Sequence, residues 1–356
     1  MMPGTTTSPP PTSLAAIQDP NTKTISVRSR RTPTPTGTQV LVKINCAGVC
    51  ASDLHLARRD LSYLQATVPI AGHEGVGRIA ALGPDADPSR WRVGDRVAVR
   101  WLHTVCKTCE VCTTGYENLS PDRRVTGKDV EGCFAEYAAP DSDYLCRVPE
   151  SVSDAEAAPI LCAGVTVYKA LKISDLRPGN WVAIAGAGGG LGHLAIQYAR
   201  AMGYRPLALD AGKEELCTRL GAEAYIDVLE TEEDCVVARV LEVTGGGAHC
   251  ALVCASSGRA YADAVGYLRR AATMVCVGLP VRPSPIPVLP EDFVARGIRI
   301  LGTSTGTLRD TDEALGFLER GEIKTHGVER SLAEVEDVLE EIAQGKVSGR
   351  AVIRVS

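Results

Sequence analysis

Hydrophobic positions along the chain fall into two rhythms. Up to about residue 158 the apolar runs are short and broken by Gly and Pro. Val40, Val42 and Ile44 recur at every second position within Gln39 to Val49, which predicts a strand. Further short strands are predicted at Gly77 to Leu82, Arg96 to Arg100 and Tyr144 to Val148. Strands this short and closely spaced imply a partly closed β-rich domain. From Asn180 the rhythm becomes β-α-β. Trp181 to Ala185 is an uninterrupted apolar run, and Leu191, Leu194, Ala195, Tyr198 and Ala199 follow at helical spacing. Arg205 to Leu209 is the next strand, and Leu216, Cys217 and Leu220 mark a helix closed by Gly221. Strands at Ala251 to Cys254, Thr273 to Val277 and Ile298 to Leu301 continue the series. Such alternation predicts a parallel sheet covered on both faces, a doubly wound α/β fold.

After about Thr305 come two amphipathic helices, near Thr311 to Arg320 and Ser331 to Gln344, and a last strand at Ala351 to Val355. They lack β-α units of their own and are expected to return to the first domain. The expected division is 21–161 with 306–356 for the β-rich domain and 162–305 for the α/β domain. Residues 1–20 are rich in Thr, Pro and Ser, end at Pro20, and are read as a disordered tail.

Composition narrows the function. A chain of 356 residues fits two domains, and 45% apolar residues are ordinary for a globular protein. A net charge of -5 without a basic block argues against nucleic-acid binding. No apolar run reaches the roughly 18 residues of a membrane span. The 13 cysteines are odd in number and spaced as metal clusters plus scattered core thiols, not as a disulfide framework. With no secretory signal, a reducing, cytoplasmic setting is expected.

The first chemical motif is Gly186-Ala187-Gly188-Gly189-Gly190-Leu191-Gly192, between a predicted strand and a predicted helix. Glycine lets the backbone turn sharply and approach a pyrophosphate, and the helix start offers free N–H groups to it. Gly186, Gly189, Gly190 and Gly192 fit a variant of the dinucleotide fingerprint. Asp210 ends the next strand, where a carboxylate can accept from ribose hydroxyls and repel a 2′-phosphate, favouring NAD over NADP.

The second motif is a set of three separated donors: Cys50 in Gly48-Val49-Cys50-Ala51-Ser52-Asp53-Leu54-His55, His73 in Gly72-His73-Glu74-Gly75, and Cys162 in Leu161-Cys162-Ala163-Gly164. Singly, a Cys is usually a small buried hydrophobe and a His beside Gly a turn residue. Together, two thiolates and an imidazole make a zinc site with an open fourth position, the catalytic kind. Metal beside a dinucleotide points to hydride chemistry on an alcohol or a carbonyl.

With these residues in place, the chain resembles the zinc-dependent alcohol dehydrogenases of the medium-chain superfamily, most like the microbial tetrameric type. The likeness runs from about residue 37 to the C-terminus. It includes Trp101-Leu102, the run from Ala157 to Leu171 containing Cys162, and Gly349-Arg350. The resemblance implies a GroES-like catalytic domain, a Rossmann NAD domain, one catalytic zinc, a small alcohol or carbonyl substrate and a homodimer or homotetramer. It also implies roles. Ser52 hydrogen-bonds the substrate oxygen, and a relay through His55 carries its proton to solvent. Asp53 orients His73, and Glu74 is an acid that can approach the zinc. Thr166 and Leu191 line the nicotinamide, Val277 also contacts the cofactor, Lys213 reaches a ribose, and Arg350 a pyrophosphate. A neutral two-thiolate, one-imidazole zinc can still lower the pKa of a bound hydroxyl toward about 7.

Two departures stand out. Cys106, Cys109 and Cys112 match the family's structural-zinc lobe, but Ser120 stands where the fourth Cys belongs. A hydroxyl is a poor substitute for thiolate, so the lobe is expected to bind zinc weakly or not at all; a three-thiolate site completed by another group is the alternative. In the substrate pocket Trp101 matches one wall, Leu61 stands where ethanol-preferring relatives carry a second Trp, and Leu279 is another wall. A wider pocket is expected. Reduction of a larger specialised metabolite and a catalytically silent dinucleotide sensor stay open as rival readings.

Overall fold

The computed structural model describes residues 8–230 and 235–355, which divide into two compact units. The first takes the chain through Cys162, together with Thr307–Leu315 and the residues from Gly327 onward. The second takes Ala163–Gly306 and Gly316–His326.

The first unit is built on a mixed sheet ordered Gly327–Ser331, Arg350–Arg354, Val40–Val49, Gly75–Leu82, Arg96–Val99, Cys146–Arg147, with Tyr137–Ala138 also on Val40–Val49. Val40, Val42 and Ile44 point into one core with Ile79, Trp91, Val97 and Phe134. The helix Val335–Ala343 adds Val335, Val338 and Leu339 to that core. The C-terminal strand Arg350–Arg354 runs antiparallel to Val40–Val49. The final helix and strand therefore complete the first sheet and its core. The preceding helix, Leu308–Glu319, is divided: its residues through Leu315 group with the first unit and the rest with the second.

Two strand neighbours approach closely where Val40–Val49 meets Gly75–Leu82. The register shifts between Ile44 and Cys46, and a Cβ at Gly77 would stand 2.0 Å from the Lys43 carbonyl oxygen. Glycine is required there because the partner atom is backbone, which cannot rotate away.

The segment read as a tail is in part a strand. Thr12–Gln18 pairs antiparallel with Ile25–Arg31, and Ala15 and Ala16 are buried in the first core. Ala16 donates to the Phe134 carbonyl at 2.9 Å and Gln18 to that of Pro69 at 2.9 Å. Pro20 lies in the hairpin turn, where the Asp19 carboxylate accepts from the N–H groups of Asn21 and Thr22. Composition misled because the inward residues are alanines, which contribute little hydrophobic signal yet fit a tight face. Residues 1–7 of the expected tail lie outside the described residues. The predicted strand Tyr144 to Val148 is also shorter: a single turn at Ser142–Tyr144 precedes Cys146–Arg147.

The second unit carries a parallel sheet of six strands among the described residues: Ala224–Asp227, Arg205–Asp210, Trp181–Ala185, Ala248–Val253, Leu268–Cys276, Arg299–Gly302. Counting along the chain this is 3-2-1-4-5-6, the doubly wound order that places a ligand crevice where the order reverses. The reversal falls between Trp181–Ala185 and Ala248–Val253. Trp181–Ala185 is buried along its whole length, as its unbroken apolar run requires. Among the described residues no helix is long and apolar enough to cross a membrane.

Gly77→Ala should destabilise the intact protein by about 1–3 kcal/mol, because strand backbones must separate to admit one methyl group. Urea unfolding of both proteins measures it; an unchanged midpoint would contradict the close approach.

Candidate active site

Cys50 ends the strand Val40–Val49 and caps the helix Ala51–Arg58. Its φ of -115° and ψ of 154° are extended, as for a residue entering a helix. The Asp53 carboxylate reaches back to accept from the Cys50 N–H at 2.9 Å. The short run Cys50-Ala51-Ser52-Asp53 is thus a capping arrangement that also fixes a thiol. Cys162 lies between the turn Ala158–Leu161 and the helix Ala163–Lys172. His73 precedes the strand Gly75–Leu82.

These positions converge. Ligand atoms of Cys50, His73, Glu74 and Cys162 all lie within 4.8 Å of one another. The Cys50 and Cys162 sulfurs are 4.0 Å apart. His73 Nδ1 is 3.0 Å from Asp53 Oδ1, an oxygen that also accepts from the Gly72 N–H at 3.1 Å. That contact assigns Nδ1 as the protonated nitrogen and turns the Nε2 lone pair toward the sulfurs. Among the described residues Nε2 has no hydrogen-bond partner although it is buried; Glu74 Oε1 is 3.8 Å away. A buried acceptor nitrogen facing two sulfurs is the donor set of a zinc site, and these residues fit that ion.

Protonation follows from the same crowding. A hydrogen bond from Cys162 holds the Cys50 thiol far below its usual range. The same contact and burial push Cys162 far above it. Burial alone would lower His73, but Asp53 more than offsets it and holds the imidazole well above 6.5. Metal binding must therefore displace protons from the cluster. Glu74 is fully buried and pairs with the buried Arg350 guanidinium. Burial pushes its carboxyl up to about 8 against the pull of Arg350. The structure thus places Arg350 on Glu74, within the first unit.

Around the cluster, the Trp101 ring meets the His73 ring edge-on with centroids 4.7 Å apart. Leu61 is buried with Leu56 and Leu64, and Trp101 packs on that group. Ser52, partly exposed, is on the helix Ala51–Arg58 one residue before Asp53. His55, on the same helix, pairs through Nδ1 with Asp60 at 2.8 Å. Asp60 carries no motif that marks it in the sequence. Its only signal was an acid shortly past a helix whose end the pattern did not reveal.

The second cysteine cluster hangs from the paired strands Leu102–Thr104 and Arg124–Val125. Cys109 and Cys112 sulfurs are 3.4 Å apart, and Cys106 and Cys112 sulfurs 3.8 Å. Ser120 Oγ, fully buried, is 3.6 Å from Cys106 Sγ and 3.7 Å from Cys109 Sγ. It stands as the fourth corner of the group. Hydrogen bonds, first from the Thr108 backbone, hold Cys106 down to about 6. Cys133, the nearest downstream thiol, is instead buried in the core of the first unit.

In the second unit Gly186 ends the first strand of the parallel sheet with φ +79°. A Cβ there would be 2.9 Å from the Ala255 nitrogen, so only glycine makes this turn. Leu191 precedes the helix Gly192–Ala201, whose start no side chain caps. The N–H groups of His193, Leu194 and Ala195 bond to the Gly189 and Leu191 carbonyls, so a phosphate would meet the turn at Gly190 to Gly192, and the turn fits a dinucleotide. Asp210 Oδ2 accepts from the Gly188 N–H at 2.7 Å and Oδ1 from the Ala211 N–H at 2.7 Å. Lys213 lays its stem along Gly188. Thr166 is buried in Ala163–Lys172, Val277 follows Leu268–Cys276, and Leu279 is 53% exposed.

A fold of this order joined to a buried two-sulfur, one-imidazole cluster defines a metal-dependent, dinucleotide-type dehydrogenase. Comparison with known proteins makes this specific. Residues 36–150 match the alcohol dehydrogenase GroES-like domain, and residues 190–320 the zinc-binding dehydrogenase family. The chain is 39% identical over 343 residues to an alcohol dehydrogenase of Geobacillus stearothermophilus, covering 96% of this chain and 99% of that one. It is 42% identical to an alcohol dehydrogenase of a Moraxella strain, covering 90% and 93%. In structure it resembles the alcohol dehydrogenase of the archaeon Aeropyrum pernix, with TM-score 0.85, 29% identity and coverage of 96% and 100%. The chain belongs to the zinc-containing alcohol dehydrogenase family of the medium-chain superfamily.

Asp53→Asn should weaken zinc retention by about 10- to 100-fold, since the amide cannot hold the His73 tautomer as a carboxylate does. Competition with a chelating dye reads this directly, and equal retention would remove Asp53 from its role.

Proposed function

We propose that this chain is an NAD-dependent zinc alcohol dehydrogenase, interconverting a primary or secondary alcohol and its aldehyde or ketone. The observation that carries this reading is the buried convergence of Cys50, His73 and Cys162 with His73 Nε2 unpartnered among the described residues. Zinc, when bound, supplies a Lewis acid for the substrate oxygen, and NAD, when bound, supplies the hydride carrier. Cys50, His73 and Cys162 hold the metal. Asp53 holds the Nδ1 proton of His73 and keeps the ring turned so that Nε2 faces the sulfurs. Glu74, tied to Arg350, is an acid in reach of the same centre. Ser52 hydrogen-bonds the substrate hydroxyl, and its proton leaves through His55, which Asp60 holds near solvent. Asp210 accepts from the adenosine ribose with the lone pairs its two backbone contacts leave over, which favours NAD over NADP. Thr166, Leu191, Val277 and Lys213 are assigned to the cofactor by resemblance.

Leu61, Trp101 and Leu279 are assigned to a substrate pocket wider than an ethanol site. Two structural relatives support that breadth: a cinnamyl alcohol dehydrogenase from Sorghum bicolor (TM-score 0.85, 26% identity) and an acetophenone reductase from Geotrichum candidum in complex with NAD (TM-score 0.84, 25% identity). Both names denote aromatic substrates. NADH formation followed with ethanol and with benzyl alcohol should show a higher kcat/KM for benzyl alcohol. A clear ethanol preference would refute the wide pocket, and silence with zinc loaded would refute the enzyme.

The Cys106, Cys109 and Cys112 lobe is assigned weak zinc binding, because Ser120 brings a neutral hydroxyl to the corner where a thiolate charge is needed. Metal analysis of dialysed protein should give about one zinc per chain, and Ser120→Cys about two with a higher melting temperature. Two zincs in the unaltered protein would overturn this assignment.

We also assign a homodimer or homotetramer. Arg299–Gly302 is an outer strand of the parallel sheet, and the segment leading into it exposes Leu289, Phe293 and Val294, the last at 88%. An open edge flanked by apolar side chains favours pairing with a second copy. Thirteen unpaired thiols fit a reducing cytoplasm.

A further inference from the structure

The loop after Asp210 is held by two residues to which no role has yet been given. Tyr225 and Asp227 belong to the neighbouring strand Ala224–Asp227, which pairs in register with Arg205–Asp210 so that Asp210 lies opposite Asp227. The Tyr225 hydroxyl accepts from the Lys213 N–H at 3.1 Å and donates to the Asp210 carbonyl at 2.9 Å, with Asp227 Oδ2 at 3.1 Å. Asp227 Oδ2 accepts from the Gly212 N–H at 2.6 Å. The Ala211 N–H goes to Asp210 itself. Three consecutive backbone donors, at 211, 212 and 213, are therefore all bound to the protein's own oxygens.

A ribose 2′-phosphate needs donors and positive charge, whereas a ribose hydroxyl needs an acceptor. Here the loop offers its acceptor side only. Asp210 repels the phosphate directly. Behind it stand a second carboxylate, Asp227, and a hydroxyl that has used the Lys213 amide. Lys213 carries a cation, but its stem is laid along Gly188.

We propose that Tyr225 and Asp227 are specificity-determining residues for NAD, locking the loop in a form that refuses a 2′-phosphate even when the Asp210 carboxylate is removed. This rests on the NAD reading of Asp210 given above and adds a second, independent barrier to it.

The test is direct binding, read by the fluorescence of NADH and NADPH titrated against the zinc-loaded full chain. Unaltered protein should bind NADH at least 100-fold more tightly than NADPH. Asp210→Ser alone should tighten NADPH less than tenfold. Adding Tyr225→Phe should tighten it at least a further tenfold, by freeing the Lys213 amide, and should loosen NADH several-fold. Asp227→Asn removes charge and keeps one of the two oxygens that accept backbone N–H groups, and should by itself tighten NADPH about threefold or more. If Tyr225→Phe and Asp227→Asn each leave the NADPH dissociation constant within twofold of their parent, the second barrier does not exist. Should Tyr225→Phe fail to fold, Asp227→Asn decides alone. If the unaltered protein prefers NADPH, the reading of Asp210 fails first, and that outcome is distinct from the others.

Discussion

One buried carboxylate joins the parts of the candidate metal centre. Asp53 accepts from the Cys50 N–H, the Gly72 N–H and His73 Nδ1. It therefore ties the end of one strand, the start of a helix and the turn before another strand to a single group. A buried carboxyl group is tolerated in such a place only when its oxygens are satisfied, and here three donors do so. The same bonds determine which His73 nitrogen carries the proton and which faces the sulfurs. Without them the ligands would still be near neighbours, but the imidazole would be free to turn.

Charge balance around the cluster follows a similar logic. Two sulfurs and the carboxylates of Asp53 and Glu74 are buried together, and the Arg350 guanidinium is the buried cation paired with Glu74. Arg350 comes from the last strand, which pairs with the strand ending at Cys50. The last strand therefore contributes more than sheet pairing. Removing Arg350 would strand a buried acid, a far larger penalty than losing a surface pair.

In the second unit the decisive constraint is geometric. The turn at Gly186 must pass within van der Waals reach of the next strand's end at Ala255, and the residues after it open a helix without a side-chain cap. Asp210 then bonds back to Gly188, so the carboxylate assigned to the ribose also braces the turn assigned to the pyrophosphate. In the proposed reading, binding and folding use the same atoms there. Substitution of Asp210 thus affects both.

The sequence by itself determined the alternating pattern of a doubly wound fold, the glycine turn and the separate candidate ligands, because each has a local signature: an apolar run, a strand-to-helix glycine pattern, a Cys or His beside small residues. The order of the strands, and the strand Ala224–Asp227, came only with the structure. The sequence also determined that Ser120 replaces a thiol. It did not determine that Thr12–Gln18 is a strand, since inward alanines leave almost no periodic trace. Nor could it place Glu74 on Arg350, Asp60 on His55 or Tyr225 on the loop beside Asp210. Strand pairing and burial bring Glu74 to Arg350 and Tyr225 to the loop beside Asp210, and the left-handed cap at Arg59 turns the chain so that Asp60 meets His55.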